Sequence, residues 1–281
     1  MKEIIVTYEP DNSLKKGYLS IFSQIFIELK QNRWLTYQLF KRDFLSAYKQ
    51  SFFGVAWSIL IPLMSVYTFI LLNRSGLFLV GDTKLPYPIY ALWGMAFWQL
   101  FSAGLIASSN SLIKAGSMIL KINFSKKSLV LAAACQSTVP FLTLLILLGF
   151  CYVWYGIPPR PECLLIPVIV LPIFLLTLGL GFILALLDGI IRDIGNVVAI
   201  FLTFLMFLTP VLYVKPSEGI LAKITLYNPL YYLTSIPRDL FLKGTILEWE
   251  GFLISSALSI QLFLVCLVGF HLTETRVAER I

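Results

Sequence analysis

Charged residues are scarce in this chain. Asp, Glu, Lys and Arg together make up 13% of its 281 residues, whereas soluble domains usually carry about 25%. Hydrophobic residues reach 58%, and the mean hydropathy is +0.83. A soluble core of this length would not bury so much apolar surface, so we expect lipid to be the solvent for much of the chain.

Also missing are the residues that handle chemical energy. The phosphate-binding pattern G-x-x-x-x-G-K-[ST] does not occur, which excludes nucleotide hydrolysis through such a loop by this chain. The long apolar segments contain no acidic or basic residue, although carriers driven by protons or ions usually keep one there. If the chain moves a solute uphill, we expect the energy to come from another polypeptide.

Residues suited to catalysis or metal binding are equally few. The single histidine, His271, lies at one end of the last apolar segment and is interpreted as an interfacial residue, since no Ser-His-Asp or Cys-His set forms around it. The four cysteines lack metal-ligand spacing. Cys151 and Cys163 flank a tight turn, where unpaired thiols are the favoured interpretation and a disulfide is the alternative. The sequence predicts no metal site, no cofactor bound by this chain and no enzymatic activity of its own.

Six apolar segments are long enough to cross a bilayer, which takes about 20 residues in a helix. They comprise residues 52–72, 87–109, 129–155, 163–187, 194–214 and 251–272. We therefore predict an all-α integral membrane protein with six transmembrane helices. About fifty mostly polar residues precede the first segment, so no cleavable signal peptide is expected.

The orientation of the segments follows from the distribution of basic residues. Of the 22 Lys and Arg residues, fifteen fall on the side that holds both termini and seven fall on the other side. Because basic residues are retained in the cytoplasm, we expect residues 1–51 and 273–281 to be cytoplasmic. The net charge of +7 is interpreted as topology and contact with anionic lipid, and not as nucleic-acid binding, because the basic residues are spread over several loops.

Two cytoplasmic segments have apolar residues of their own. From Gly17 to Lys30 these residues recur with helical spacing, which predicts an amphipathic helix at the membrane surface. The loop between the second and third spans has apolar residues among lysines. We expect it to form a short helix docked on a soluble partner or on the inner leaflet.

The segment 215–250, on the opposite side, is apolar but interrupted by polar residues and prolines. Asn228 followed by Pro229 is typical of an N-cap and the first residue of a helix. We predict two short re-entrant helices that dip into the outer leaflet, which requires that they be buried in protein or line a watery cavity.

Aromatic residues make up 15% of the chain, and many lie near the ends of the predicted spans. The favoured interpretation is an interfacial belt, and the alternative is a passage lined by rings. Helical stripes in the first, second and fifth spans are more typical of helix packing than of a pore. As the alternative, we take the following as candidate channel-lining residues: Trp57, Met64, Tyr67, Tyr90, Phe97, Phe201 and Phe204.

The residues that enter the first span carry a resemblance to a known family. They resemble the start of the permease subunits of polysaccharide ABC exporters, the type-2 ABC permeases that export O-antigen, capsule or teichoic acid chains. The matching residues are Arg42-Asp43, Tyr48-Lys49-Gln50-Ser51, Gly54, Trp57 and Pro62, with support from Arg192-Asp193 and Tyr227-Asn228-Pro229-Leu230. The resemblance extends over nearly the whole chain, with residues 1–16 excepted.

This resemblance implies a homodimer of six-span subunits that works with two copies of a cytoplasmic ABC ATPase, on which ATP and magnesium bind. The amphipathic lead would be an interface helix, and the first and fifth spans would flank the channel. The loop after the second span would hold the coupling helix that seats in the ATPase, with contacts from Lys114, Met118, Ile119, Lys121 and Phe124. The two short helices would form an outer gate with Tyr227, Asn228, Pro229, Tyr231 and Tyr232.

A basic stretch before the first span is the candidate site for the lipid end of the substrate. Lys41, Arg42, Tyr48 and Lys49 lie at the depth of the inner headgroups, where a polyprenyl pyrophosphate would present its charge. Arginine suits bidentate contact with phosphate. The alternative is that these residues are positive-inside anchors, worth about 1 kcal/mol each without any specific ligand.

Three function hypotheses remain at this point. The first is the membrane subunit of an ATP-driven exporter of lipid-linked polysaccharide in the bacterial inner membrane, with O-antigen as the favoured cargo and capsule or teichoic acid as alternatives. The second is efflux of a small drug or lipid by the same architecture, which the short loop 73–86 disfavours. The third is a membrane-embedded glycan-processing enzyme or assembly protein, for which Asp188, Asp193 and Asp239 are candidates that nothing pairs.

Overall fold

The computed structural model describes residues 18–49, 56–76, 81, 83, 85–116, 124–191, 193–245 and 248–278. Within these ranges every regular element is a helix and no strand occurs. The prediction of an all-α chain is therefore confirmed for the part of the chain that the structure describes.

Thirteen α-helices and one 3-10 helix, Pro161–Leu165, make up the regular structure of these ranges. The α-helices are α1 (Tyr18–Gln31), α2 (Arg33–Lys49), α3 (Ala56–Arg74), α4 (Tyr87–Ser109), α5 (Ser111–Lys114), α6 (Lys126–Cys135), α7 (Thr138–Trp154), α8 (Ile166–Ile169), α9 (Leu171–Ile190), α10 (Ile194–Leu208), α11 (Ile220–Tyr227), α12 (Pro229–Lys243) and α13 (Trp249–Ala278).

Four helical stretches of the described chain are long and apolar enough to cross a membrane, which supports an integral membrane protein. They are Tyr87–Ser109, Lys126–Trp154, Pro161–Ile190 and Trp249–Glu274, and they coincide with the second, third, fourth and sixth predicted spans. Two shorter apolar helices, Ile59–Leu72 and Ile194–Leu208, fall within the first and fifth predicted spans. The count of six spans stays a prediction.

Proline explains why the fifth predicted span is shorter than expected. The sequence predicts a helix over 194–214, but α10 ends at Leu208 and Thr209 is extended. Thr209 precedes Pro210, and the proline ring disfavours helical geometry in the residue before it. Fifteen residues span about 22 Å at about 1.5 Å each, which is less than the hydrocarbon thickness of about 30 Å.

The core is organised around α4, whose side chains are mostly buried. Helices α7 and α9 pack along it, and the Trp93 indole donates a hydrogen bond of 3.0 Å to the Tyr152 hydroxyl of α7. The ring of Trp93 also lies 4.6 Å from that of Phe241 in α12. These contacts connect two of the long apolar stretches with the predicted gate helix.

A second core lies at the other end of the bundle, where α1, α2, α6, α9 and α13 meet. Helix α1 coincides with the predicted amphipathic helix, but its apolar residues serve two surfaces. Ile21 and Ile25 are buried against the protein, whereas Phe22 and Phe26 are exposed. Part of the face predicted to lie on the membrane therefore docks on the rest of the chain.

Candidate functional site

The turn that follows α10 is held by side chains from two other helices. Because α10 ends before Pro210, the next carbonyl groups receive no helical hydrogen bonds and need other donors. Arg238 of α12 donates from Nη1 to the Pro210 oxygen at 3.0 Å and to the Val211 oxygen at 2.9 Å. Ser235 donates to the Pro210 oxygen as well, at 3.1 Å.

Two tyrosines of α4 complete this arrangement. The Tyr87 hydroxyl donates to the Leu212 oxygen and the Tyr90 hydroxyl donates to the Tyr213 oxygen, both at 2.9 Å. Four successive carbonyl oxygens, from residues 210 to 213, thus accept side-chain hydrogen bonds. We call residues 209–213 the carbonyl turn.

The carbonyl turn packs very closely against α4 because residue 94 of that helix is a glycine. A Cβ atom on Gly94 would lie 2.1 Å from the Val211 oxygen, which no real contact allows. The Arg238 guanidinium is 3% exposed, and its Cζ lies 3.9 Å from the centre of the Tyr90 ring, a cation–π geometry. In the sequence, Arg238 counts only as one of the basic residues that lie outside the predicted spans.

The predicted gate residues occupy different positions around α12. Asn228 is the N-cap, as its sequence context predicts: its Oδ1 accepts from the Leu230 N–H at 3.0 Å, and its Nδ2 donates to the Thr209 Oγ1 at 2.8 Å. Tyr227 and Pro229 are exposed, whereas Tyr231 is buried. The Tyr232 hydroxyl donates to the Leu226 oxygen at 3.0 Å.

An ionic cluster accompanies the carbonyl turn. Lys215 pairs with Glu248 at 2.6 Å, and Lys243 pairs with Asp239 at 2.7 Å. The Lys215 Nζ also lies 4.9 Å from the centre of the Tyr231 ring. Burial raises the pKa of the Tyr231 phenol, and the nearby carboxylate of Glu248 raises that pKa further. The phenol therefore stays neutral at physiological pH.

The candidate channel residues fall into two groups. Trp57, Met64 and Tyr67 of α3 are exposed, as are Phe201 and Phe204 of α10. About half or more of each of these five side chains is exposed, so they form apolar surfaces on the described part of the single chain.

Tyr90 and Phe97 of α4 are instead buried in the core. Phe97 lies among the rings of Phe141 and Phe241, at 6.0 and 6.3 Å, and Tyr90 supports the carbonyl turn. Because both side chains are buried inside a single chain, they do not reach a surface that could line a passage in this conformation. Their helical spacing reflects packing in the core.

The basic stretch before α3 is only partly described. Lys41 and Arg42 lie on α2 with exposed and half-exposed side chains, and Arg42 pairs with Asp43 at 2.7 Å. An ion pair this exposed adds little stability, but it restricts the direction of the guanidinium. The side chains of Tyr48 and Lys49 lie outside the described residues.

The predicted coupling residues are described only at the two ends of their loop. Lys114 ends α5 and is exposed, and Phe124 packs against the second core. Met118, Ile119 and Lys121 lie outside the described residues.

Next to this loop lies an ion cluster that the sequence analysis did not anticipate. The Lys127 ammonium, which is fully buried, lies 3.0 Å from the Glu28 Oε2 of α1 and also bonds the Glu274 carboxylate of α13. The His271 Nδ1 lies 3.6 Å from Glu274 and 3.9 Å from Glu28. The cluster fastens α1, α6 and α13 together at one point.

The same cluster contains a possible metal-ligand set in Glu28, His271 and Glu274. The ammonium of Lys127, however, contacts both carboxylates. Because it already supplies the positive charge that a metal ion would bring, we interpret the group as an ion-pair cluster.

Two of the three aspartates considered for an enzyme have structural partners. Asp188 is buried, and its Oδ1 accepts from the Gly195 N–H at 2.9 Å, in the first turn of α10. Asp239 pairs with Lys243 and approaches Arg238 at 3.5 Å. Neither arrangement presents a pair of carboxylates to a substrate.

Comparison with known proteins adds an independent finding. A family model described as ABC-2 type transporter matches residues 35–242. The chain is 27% identical over 262 residues to the O-antigen export system permease protein RfbA of Myxococcus xanthus, covering 90% of this chain and 98% of that protein. It is 30% identical over 247 residues to a Klebsiella pneumoniae protein of the same name, covering 85% and 91%, and 29% identical over 263 residues to another from that organism, covering 90% and 98%.

Proposed function

The chain belongs to the ABC-2 type transporter family, and from that premise we propose that it is the membrane subunit of an O-antigen exporter. The observation that carries the proposal is the likeness to three O-antigen export permeases over 85–90% of this chain. The chain is a transport subunit of the bacterial inner membrane and is not itself the ATPase. The lipid-linked polysaccharide would be its cargo.

The energy for export would come from two copies of a cytoplasmic ABC ATPase, which bind ATP and magnesium. They would meet the chain at the loop between α5 and α6, where Lys114 and Phe124 flank the predicted coupling helix. The buried Lys127 cluster lies directly after that loop. A movement of the loop would therefore reach both α1 and α13 through fixed ion pairs.

A second copy of this chain would complete the passage. The exposed apolar faces of α3 and α10 fit a homodimer in which the first and fifth spans flank the channel. Trp57, Met64 and Tyr67 would line it with Phe201 and Phe204, because flat rings offer a sliding sugar chain many similar contacts. Tyr90 and Phe97 are left out of this set, since they are buried in the core.

The two ends of the substrate would meet different parts of the chain. Lys41, Arg42, Tyr48 and Lys49 would contact the pyrophosphate at the inner headgroups, with Asp43 orienting Arg42. At the opposite end, α11 and α12 would form the outer gate. This orientation follows the excess of basic residues around the termini.

The proposal is tested by complementation. Deleting the gene from its host should remove surface O-antigen and leave lipid-linked polysaccharide inside, and the wild-type gene should restore surface display. The ATPase should copurify with the chain, and its turnover should rise in the complex. Restored display without any bound ATPase, or membrane-inserted protein that restores no display, would overturn the proposal. Lys223→Gln, an exposed change on α11, serves as the control that should behave as wild type.

A further inference from the structure

A small cavity lies beside the carbonyl turn. It encloses about 70 Å³ between α4, α12 and residues 214–215. Its charged lining consists of Lys215, Arg238, Lys243 and Asp239, with the rings of Tyr90 and Tyr231 beside them. A water molecule takes about 30 Å³ in the liquid, so the cavity has room for a couple of waters or for one group of carboxylate size.

The charges around this cavity do not cancel. Three cations and one carboxylate line it, and Glu248 neutralises Lys215 through its ion pair. One positive charge therefore remains. This balance covers the described residues only, since Asp82 and Lys84, on either side of the lining residue Thr83, lie outside them.

The excess charge is best assigned to Arg238. Lys215 and Lys243 each have a carboxylate at 2.6–2.7 Å, whereas Arg238 has Asp239 only at 3.5 Å from Nε and backbone oxygens at Nη1. Among the described residues, none of its hydrogen bonds uses Nη2. A buried guanidinium that no carboxylate of the described residues pairs closely favours an anion.

We propose that this cavity is an oxyanion site that binds one carboxylate or phosphate group. Arginine and lysine form short, charge-assisted hydrogen bonds to such groups, and the two tyrosine rings offer flat surfaces beside them. The occupant is an acidic sugar of the exported chain, an assignment that rests on the proposed function. The oxyanion site itself does not depend on that function.

The test uses the chain in complex with its ATPase, in phosphatidylcholine nanodiscs and without ATP. Saturation-transfer NMR with sodium glucuronate should give a saturable signal, with a dissociation constant on the order of 1 mM, as expected for a single small anion. Inorganic phosphate should compete with glucuronate, and glucose should give no saturable signal. The absence of a saturable glucuronate signal in wild-type protein would overturn the proposal.

Two substitutions give opposite expectations. Lys243→Gln brings the charge balance around the cavity to zero, because Asp239 is then left to Arg238, and should weaken glucuronate binding about tenfold. Asp239→Asn adds one positive charge and should tighten glucuronate binding about tenfold. General damage to the fold would weaken both. Lys223→Gln, which removes a charge elsewhere on the same side, should change nothing. Weaker binding in both cavity variants, at unchanged melting temperature, would overturn the proposal.

A second lipid composition identifies the source of the oxyanion. If the phosphate of an anionic lipid occupies the cavity, nanodiscs with phosphatidylglycerol should suppress the glucuronate signal, and that result keeps the site and replaces the sugar as its occupant. No export step enters these measurements. Failure of the binding test therefore leaves the export proposal standing, and failed complementation leaves the binding result standing.

Discussion

Replacing Lys127 by methionine tests whether the buried ion cluster holds the α1 end of the bundle together. The lysine side chain is fully buried, and the side chains of Glu274 and Glu28 are 10% and 23% exposed. Lys127→Met keeps an apolar stem of similar length but removes the only cation that contacts both carboxylates in the described chain. Two negative charges then face each other with little water around them.

The magnitude follows from this geometry. Removing one partner of a buried ion pair costs about 3–5 kcal/mol, because the remaining charge stays buried without compensation. The partial exposure of Glu28 favours the lower value, about 3 kcal/mol. At about 2–4 °C per kcal/mol, the melting temperature should fall by about 6–12 °C.

The comparison with Glu274→Gln makes the experiment specific. Lys127→Met removes a positive charge and so makes the net charge of the cluster more negative by one. Glu274→Gln makes that net charge less negative by one and leaves the pair of Lys127 with Glu28 in place. We expect the glutamine variant to lose less than half as much stability.

Melting would be followed by intrinsic fluorescence on the purified chain in one detergent. Changing both carboxylates to glutamine in the Lys127→Met background should recover much of the loss, since no buried charge would remain. The reasoning would be refuted if Lys127→Met melts within about 2 °C of wild type, a shift that corresponds to about 1 kcal/mol or less. Equal losses in the methionine and glutamine single variants would refute it as well.

Three further changes have defined outcomes. Gly94→Ala should lower the melting temperature by several degrees, because its Cβ would meet the Val211 oxygen at 2.1 Å, whereas Gly149→Ala, with no neighbour within 4 Å, should raise it slightly; equal effects would contradict the close approach. Asn228→Ala removes an N-cap and should cost about 1 kcal/mol, measured by the same melting, and Asn228→Asp should retain most of the capping. Arg42→Ala should reduce surface O-antigen more than it reduces copurification of the ATPase, and equal reductions would leave only the anchor interpretation.

Sequence reasoning was most successful where one local property decides the structure. The apolar stretches are readable because a helix that crosses lipid needs little more than length and composition. The start of α12 was readable for a similar reason, since the capping by Asn228 and the fixed geometry of Pro229 act within a few residues. The end of α10 also had a signal in the sequence, because Pro210 lies inside the predicted fifth span. A hydropathy average does not detect the break that this proline causes.

The burial of Lys127 and of Arg238 had no local signal. Lys127 and Glu28 are 99 residues apart, and Lys127 and Glu274 are 147 apart, so only the folded chain brings them together. The count of basic residues on each side of the membrane treated Lys127 only as a cytoplasmic charge and Arg238 only as a charge on the opposite side. Single-sequence patterns register the sign of a charge but not its burial, and burial decides what these side chains do.

The carbonyl turn has a consequence for how an exit could open. Five hydrogen bonds attach it to α4 and α12, and at about 1 kcal/mol each, breaking them together would cost about 5 kcal/mol. Moving α4, the carbonyl turn and α12 together as one rigid body would break none of these hydrogen bonds. We therefore expect the three parts to rotate as a single unit when the exit opens, with bending confined to the residues that flank this unit.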